Sequence, residues 1–212
     1  SFADLILRND HSLLSDSGKD SFRRIQAAAN RMQNLIDDLL AYSRINTTPV
    51  HFEVVDLDQL LDKVRQDLNE EIRREQAVID AVPLPNARVI PFQFRQLLIN
   101  LIGNSIKYRK RDAAPHIRIS CEMVHGRDLD WAEVKKHQAY YKLVIADNGI
   151  GFDPEYSERI FGLFQRLHGR SEYSGTGIGL TICKKIIENH GGRIIAAGER
   201  GKGAEFTVYF PA

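Results

Sequence analysis

Cysteine, methionine and tryptophan are nearly missing from this sequence: among 212 residues there are two Cys, two Met and one Trp. Cys121 and Cys183 stand far apart without C-x-x-C spacing, which argues against a disulfide framework and a zinc site and fits a reducing compartment. No apolar run reaches the roughly 18 to 20 residues that span a bilayer, and nothing resembles a signal peptide. Net charge is missing as well. Lys and Arg number 29 against 28 Asp and Glu, so no overall field draws the chain to nucleic acid or to an anionic membrane. What is present, 43% apolar and 27% charged residues, is the composition of one or two soluble globular domains. The chain opens in mid-pattern at Ser1-Phe2-Ala3 without Met, and the expectation is a cytoplasmic piece of a longer protein.

Two halves differ in character. In residues 20–46, DSFRRIQAAANRMQNLIDDLLAYSRIN, the residues Ile25, Met32 and Leu39 recur every seven positions, with Ala28, Leu35 and Tyr42 between them. FADLILR, residues 2–8, reads as the end of another helix, with NDHSLLSDSGKD as the connection. Two helices alone cannot close a bundle, so the stripe asks for a second copy of the chain; a hairpin packed on its own globular domain is the other reading.

Beyond NTTPV the pattern is mixed. DLDQLLDKVRQDLNEEIRR reads as a helix with Asp56 as its cap, and FQFRQLLINLIGNSIKY as a helix that follows Pro91. AVIDAV and ARVI read as short strands around PLPN, and HIRISCEMV, YYKLVIAD, RIIAAG and EFTVYF as longer ones. HGRDLDWAEVKKHQA is a polar connection at a hairpin tip, and GIGLTICKKIIENHGG a helix closed by a Gly pair. The late strands follow one another closely enough for hairpins. The expected fold class is therefore α+β, an α/β sandwich of a mixed sheet covered by helices, not a doubly wound one.

Three stretches carry chemistry. NLIGNSIKY places Asn100 and Asn104 one turn apart on a face shared with Lys107 and Tyr108, leaving Leu98, Ile102, Ser105 and Ile106 on the others. Asparagine is a mediocre helix former, yet its amide oxygen suits Mg²⁺, which shares phosphates and keeps waters. The same pair also serves if each amide merely satisfies neighbouring backbone. SGTGIGL, residues 174–180, leads into a helix whose free N–H groups suit phosphate, although no Walker Lys-Ser/Thr follows and no buried strand precedes it. In IADNGIGF, Asp147 ends an apolar strand beside glycines. A carboxylate there accepts from a ligand amine, or caps its own turn.

Taken in order, NLIGNSIKY, DNGIGF, IFGLFQRLH, GTGIGL and GKGAEFTVYF resemble the N, first glycine, F, second glycine and terminal glycine boxes of sensor histidine kinases, over residues 51–212. RMQNLIDDLLAYSRI resembles the second helix of the dimerisation and phosphotransfer domain of the same kinases, especially phytochrome-like and PAS-linked ones. The resemblance implies a GHKL ATP-binding fold over 49–212 and partial dimerisation and phosphotransfer helices, part of a dimeric four-helix bundle, over 1–48. It implies ATP and Mg²⁺ as ligands, with Asn104 on the metal, Asn100 supporting metal and phosphates, and Lys107 on phosphate. Tyr108 would line the pocket, Asp147 would read the adenine amine, and Gly149 and Gly151 would leave room for the ring. Residues 153–176 would form a lid anchored by Phe161 and Phe164, with Arg166 and Arg170 reaching the terminal phosphates. Gly175, Thr176, Gly177, Gly179 and Leu180 would frame the phosphates at the helix start. Asn100, Lys107 and Arg166 carry the implied catalytic role.

Two departures accompany the resemblance. The ATP hydrolases of the superfamily carry a water-orienting glutamate where this chain has Asn100, which favours transfer to a protein nucleophile over hydrolysis. The phosphoacceptor histidine is expected upstream of Ser1, since His11, His51, His116, His125, His137, His168 and His190 read as solvated or capping residues. The implied partners are a second copy of the chain and a response regulator receiver domain, with no nucleic acid and no membrane contact. A nucleotide-gated module without transferase activity and an anti-sigma-type serine kinase remain the alternatives.

Overall fold

The computed structural model describes residues 15–47, 51–131, 133–167 and 175–212. Helix α1 (Asp16–Thr47) starts earlier than the sequence pattern suggests. Ser15 is the reason: its Oγ accepts the Gly18 N–H at 3.1 Å, so residues read as connection already wind into the first turn. The expected preceding helix lies outside the described residues. Along α1 the heptad stripe faces outward, with Ile25 58%, Met32 61% and Leu39 53% exposed. The C-terminal end turns inward, and Ile45 is buried among core residues of the following domain.

Strand β1 (Glu53–Asp56) leads directly into α2 (Leu57–Asp67), where Asp56 caps the helix by accepting the Gln59 N–H at 3.0 Å. The single helix expected here breaks at Leu68, whose φ of −95° and ψ of 12° leave the helical region. α2 buries Leu57, Leu60, Leu61 and Val64, whereas α3 (Asn69–Glu75) buries none of its residues. The break thus separates a core helix from a surface one. Strands β2 (Val78–Ala81) and β3 (Asn86–Val89) flank PLPN but do not pair with each other. β3 pairs antiparallel with β1, which the sequence reading missed, and β2 pairs parallel with β4 (His116–His125). The two prolines lack the N–H groups that a tight hairpin would use.

The main sheet adds β5 (Ala139–Asp147), β6 (Arg193–Glu199) and β7 (Gly203–Pro211) in the order β2-β4-β5-β7-β6. Every pairing except β2–β4 is antiparallel, so the sheet is mixed, as expected. Helices α4 (Pro91–Lys107) and α5 (Gly179–Asn189) pack together on the sheet. Phe94, Leu97, Leu101 and Ile102 of α4 and Ile182, Cys183, Ile186 and Ile187 of α5 are fully buried. Each such Leu or Ile contributes about 1.5–3 kcal/mol of transfer free energy, enough together to fix the rotation of α4. That rotation sends Asn100, Asn104 and Lys107 toward the open edge.

His190 ties the helix ends together. Its Nδ1–H donates to Ile186 O at 2.7 Å and its Nε2 accepts the Ile90 N–H at 3.0 Å, which fixes the neutral tautomer. His190 caps α5, as one of the two expected readings had it, but the ring is buried against Phe94 and Phe52 and not solvated. The connection between β4 and β5 is less polar than its sequence: Leu129, Trp131 and Val134 pack on Tyr140 and Tyr209 as a second small core.

Candidate functional site

α4 presents a row of amides. Gln96 Nε2 donates to Asn100 Oδ1 at 3.0 Å, and Asn100 Nδ2 donates to Gly179 O at 3.1 Å. Asn100 therefore joins α4 to the first residue of α5. One turn on, Asn104 lines an open cleft. The helix ends at Tyr108, whose N–H still reaches Asn104 O. Lys107 Nζ donates to the Tyr108 hydroxyl at 3.0 Å and lies 4.4 Å from its ring centroid. It also stands beside the glycine segment, since a Cβ on Gly175 would come within 2.5 Å of Lys107 Nζ.

β5 delivers Asp147 to the floor of the cleft. Oδ1 accepts the Gly149 N–H at 2.9 Å and the Ala204 N–H at 3.1 Å, while Oδ2 accepts the Ser105 hydroxyl at 3.0 Å. Burial pushes the carboxyl pKa above its usual 3.8, and the two backbone donors and Ser105 pull it partly back. Asp147 thus caps its own turn and also faces the cleft. Ser105 is the residue the sequence reading missed. It is buried at the α4–β5 contact, and its one signal was a hydroxyl in an apolar run directly after Asn104.

The glycines of the first box serve backbone packing. A Cβ on Gly149 would lie 2.5 Å from Tyr108 O, and one on Gly151, at φ 62°, would lie 2.0 Å from Glu199 O. These contacts alone exclude a side chain at either position, and Gly151 also lines the cleft. Gly203 completes the set: at φ 124°, its Cβ would fall 1.9 Å from Asp147 O.

The cleft is open to solvent, with a cavity volume of about 80 Å³. Asn104, Tyr108, Asp147, Gly151, Arg166 and Leu180 line it, with Ile150, Phe152, Ile160 and Phe206 as apolar walls. Asn100, Lys107, Gly149, Gly175, Thr176, Gly177 and Gly179 are not on its wall; Gly149 packs on Tyr108 and Asp147, Gly175 on Lys107 and Arg166, Gly177 on Gln165, and Gly179 on Asn100. Arg166 Nη1 donates to Gly175 O at 2.9 Å. Gly177, at φ 79°, packs on the backbone of Phe164 and Gln165. The Thr176 hydroxyl meets the Asp38 carboxylate of α1. Of the two expected lid anchors, Phe161 is buried beside Ile160, while Phe164 is 59% exposed at φ 59°. Arg170 and His168 lie outside the described residues. Asp147 is the only carboxylate on the cleft wall among the described residues.

The Histidine kinase-, DNA gyrase B-, and HSP90-like ATPase family model matches residues 90–212, and the His Kinase A (phospho-acceptor) domain model matches residues 1–48. Cyanobacterial phytochrome A of Nostoc sp. is 43% identical over 180 residues, which cover 85% of this chain and 22% of that protein. Full-length ShkA in complex with AMPPNP superposes with a TM-score of 0.69 at 23% identity, over 99% of this chain and 41% of ShkA. The histidine kinase ThkA, solved in complex with the response regulator protein TrrA, superposes at 0.64 and 23% identity, over 98% of this chain and 55% of that one. The likeness to both structures is one of fold. The chain spans 22–26% of the length of its first curated relatives. A matched family model over more than half the chain, on a mixed sheet that gathers the family's sequence boxes around one cleft, leaves one conclusion: the chain belongs to the histidine kinase-, DNA gyrase B- and HSP90-like ATPases, on the sensor histidine kinase branch.

Proposed function

We propose that this chain is the catalytic portion of a sensor histidine kinase. It binds Mg-ATP and transfers the γ-phosphoryl group to a histidine imidazole of the helical domain, from which a response regulator aspartate takes it. The observation that carries this reading is that Asn104 of α4, Asp147 of β5 and Arg166 line one cleft, and that Gly175, bonded to Arg166, and Gly177, packed on Gln165, stand next to that wall. Residues 1–48 then belong to the dimerisation and phosphotransfer helices and 49–212 to the ATP-binding domain.

Asp147 reads the adenine. Its Oδ1 is committed to two backbone N–H groups, so Oδ2, holding only Ser105, keeps a lone pair for the exocyclic amine. Tyr108 and Leu180 flank the nucleotide, and Lys107 and Arg166, both already beside Gly175, meet the phosphates. The N–H groups at the start of α5 add partial positive charge at the same place.

Among the described residues no group of three or more His, Cys, Asp or Glu gathers as an all-protein metal cage would require. The neutral amide of Asn104 fits a Mg²⁺ shared with phosphates and waters. When bound, that ion neutralises phosphate charge. The reaction breaks the bond from the γ-phosphorus to the β–γ bridging oxygen and forms a phosphorus–nitrogen bond to a neutral imidazole, releasing ADP. Positioning and charge neutralisation supply the catalysis. Hydrolysis is disfavoured because Asn100 offers no base and Asp147, the one carboxylate on the described wall, is held by three donors.

The outward stripe of α1 supports a homodimer through the helices. No helix of the described residues is long and apolar enough to cross a membrane, and the proposed location is cytoplasmic. The acceptor is not among the described histidines. His51, His125 and His137 are exposed and lie outside α1 in sequence, His116 pairs with Asp80 at 2.6 Å, and His190 is committed to backbone. The test is γ-labelled ATP with Mg²⁺, given to this chain and to a longer form with the whole helical domain. Acid-labile, alkali-stable label on the longer form alone supports the reading. Label on neither, with ATP bound, means a nucleotide-gated module.

A further inference from the structure

We infer that Asp38 is a latch, an anionic contact from α1 to Thr176 that competes with nucleotide phosphate and so couples the helical domain to the ATP site. The inference rests on the proposed reading of the Gly175–Gly179 segment as the phosphate side of the cleft.

Two adjacent acids in IDDLL behave differently. Asp37 is exposed and accepts Gln33 Nε2 at 3.1 Å, an ordinary pairing one turn apart on a solvated helix. Asp38 is partly buried although Leu35, Ile36, Asp37, Leu39 and Leu40 around it are exposed. Its carboxylate takes the Thr176 hydroxyl, and the same Oγ1 accepts the Ile178 N–H at 3.4 Å. A full negative charge thus sits one hydroxyl away from the start of α5.

A second contact on the same face shows that the helix is docked there. Asp38, Ala41, Tyr42 and Ile45 share one side of α1 by helical spacing. Ala41 and Tyr42 pack on the catalytic core, Ile45 is buried in it, and Asn189 Nδ2 donates to Ile45 O at 3.2 Å. Ile45 is the pivot and Asp38, two turns earlier, is the release point. Met32, Leu35 and Leu39 of the proposed dimer stripe stay exposed beside this face.

A polyphosphate at the Gly175–Gly179 segment places like charge next to the Asp38 carboxylate. Lys107 and Arg166 also stand at Gly175, so both anions share the same two cations. The carboxylate contact and the phosphates therefore disfavour each other. By linkage, ATP weakens the docking of α1, and a turn of α1 that withdraws Asp38 strengthens ATP binding.

The test is calorimetry of Mg-ATP and of AMP on the full chain and on Asp38→Asn and Asp38→Ala, with hydrogen exchange of α1 in the wild type. Typical coupling factors lead us to expect both variants to bind Mg-ATP roughly five-fold or more tightly, with AMP unchanged because it lacks the β- and γ-phosphates. Exchange at residues 35–45 should rise when Mg-ATP is added to the wild type. Unchanged or weaker Mg-ATP binding by the variants overturns the latch, as does an equal gain for AMP. A wild type that binds no ATP removes the functional reading and the latch with it; ATP binding that ignores Asp38 removes the latch alone.

Discussion

Replacing Asp147 by Asn exchanges one oxygen for an NH₂ group and leaves the shape unchanged. The amide oxygen takes the place of Oδ1 and keeps the Gly149 and Ala204 N–H bonds. The NH₂ then replaces Oδ2. Ser105 can adapt, because its hydroxyl lies 3.2 Å from Leu101 O and can donate there while accepting from the amide. An adenine amine cannot adapt. It loses a charge-assisted acceptor and meets a donor, a loss of about 2–4 kcal/mol from the usual values for such bonds and for an unpaired buried donor. At about 1.4 kcal/mol per factor of ten, Kd for ATP should rise roughly 30- to 700-fold. The fold should not suffer. Burial raises the folded pKa of Asp147 above 3.8, so as pH rises from there the unfolded state releases its proton first and the ionised carboxylate costs stability at neutral pH. The melting temperature of Asp147→Asn at pH 7 should thus be unchanged or slightly higher. Calorimetry with ATP and with inosine triphosphate, beside a thermal melt, decides the matter. An ATP affinity within about threefold of wild type would refute the adenine-reading role, and a collapsed melt would show that the carboxylate is structural.

Other sites separate function from packing. Asn104→Ala should abolish Mg²⁺-dependent ATP binding with the melt intact; unchanged affinity in calorimetry removes the metal role. Gly203→Ala forces a Cβ to 1.9 Å from Asp147 O at φ 124° and should cost about 3 kcal/mol or more of stability, read by denaturant titration. Gly179→Ala is the contrast: its Cβ would stand 3.8 Å from the Asn100 amide, so the fold should hold while ATP binding weakens. His190 is held neutral, with its pKa lowered by burial from 6.5. Below that value the unfolded chain binds the extra proton first, so stability should fall as pH drops from about 6.5 toward 5. Protonation would also turn Nε2 into a donor facing the Ile90 N–H. Melts across that range should flatten in His190→Gln.

Much of the molecule was legible in the residues themselves. The N-cap at Asp56, Pro91 opening α4 and the Gly pair closing α5 are local physics and appear where the pattern puts them, while α1 keeps its periodicity but starts earlier. The order of the sequence boxes pointed to the cleft through a family resemblance, before any strand had a partner. Errors arose where partners lie far away in sequence. β1 is four residues long and exists because β3 pairs with it. The two short strands expected around PLPN are there, but nothing local shows that they join different sheets. Gly151 lines the cleft, and only the fold shows that Glu199 and Gly203, about fifty residues on, also crowd it.

The sequence alone determined which chemistry the chain carries: amides at helical spacing, a carboxylate at a strand end, glycines before a helix. These follow from rules that act within a turn or two. Only the tertiary structure decided what those groups are tied to. It set Ser105 on Asp147, gave Asn100 to Gly179, turned His190 inward as a neutral link between α4 and α5, and brought Asp38 to Thr176 across 138 positions. Such contacts come from how helices rotate and strands order themselves to bury one shared core, and no local pattern records that choice.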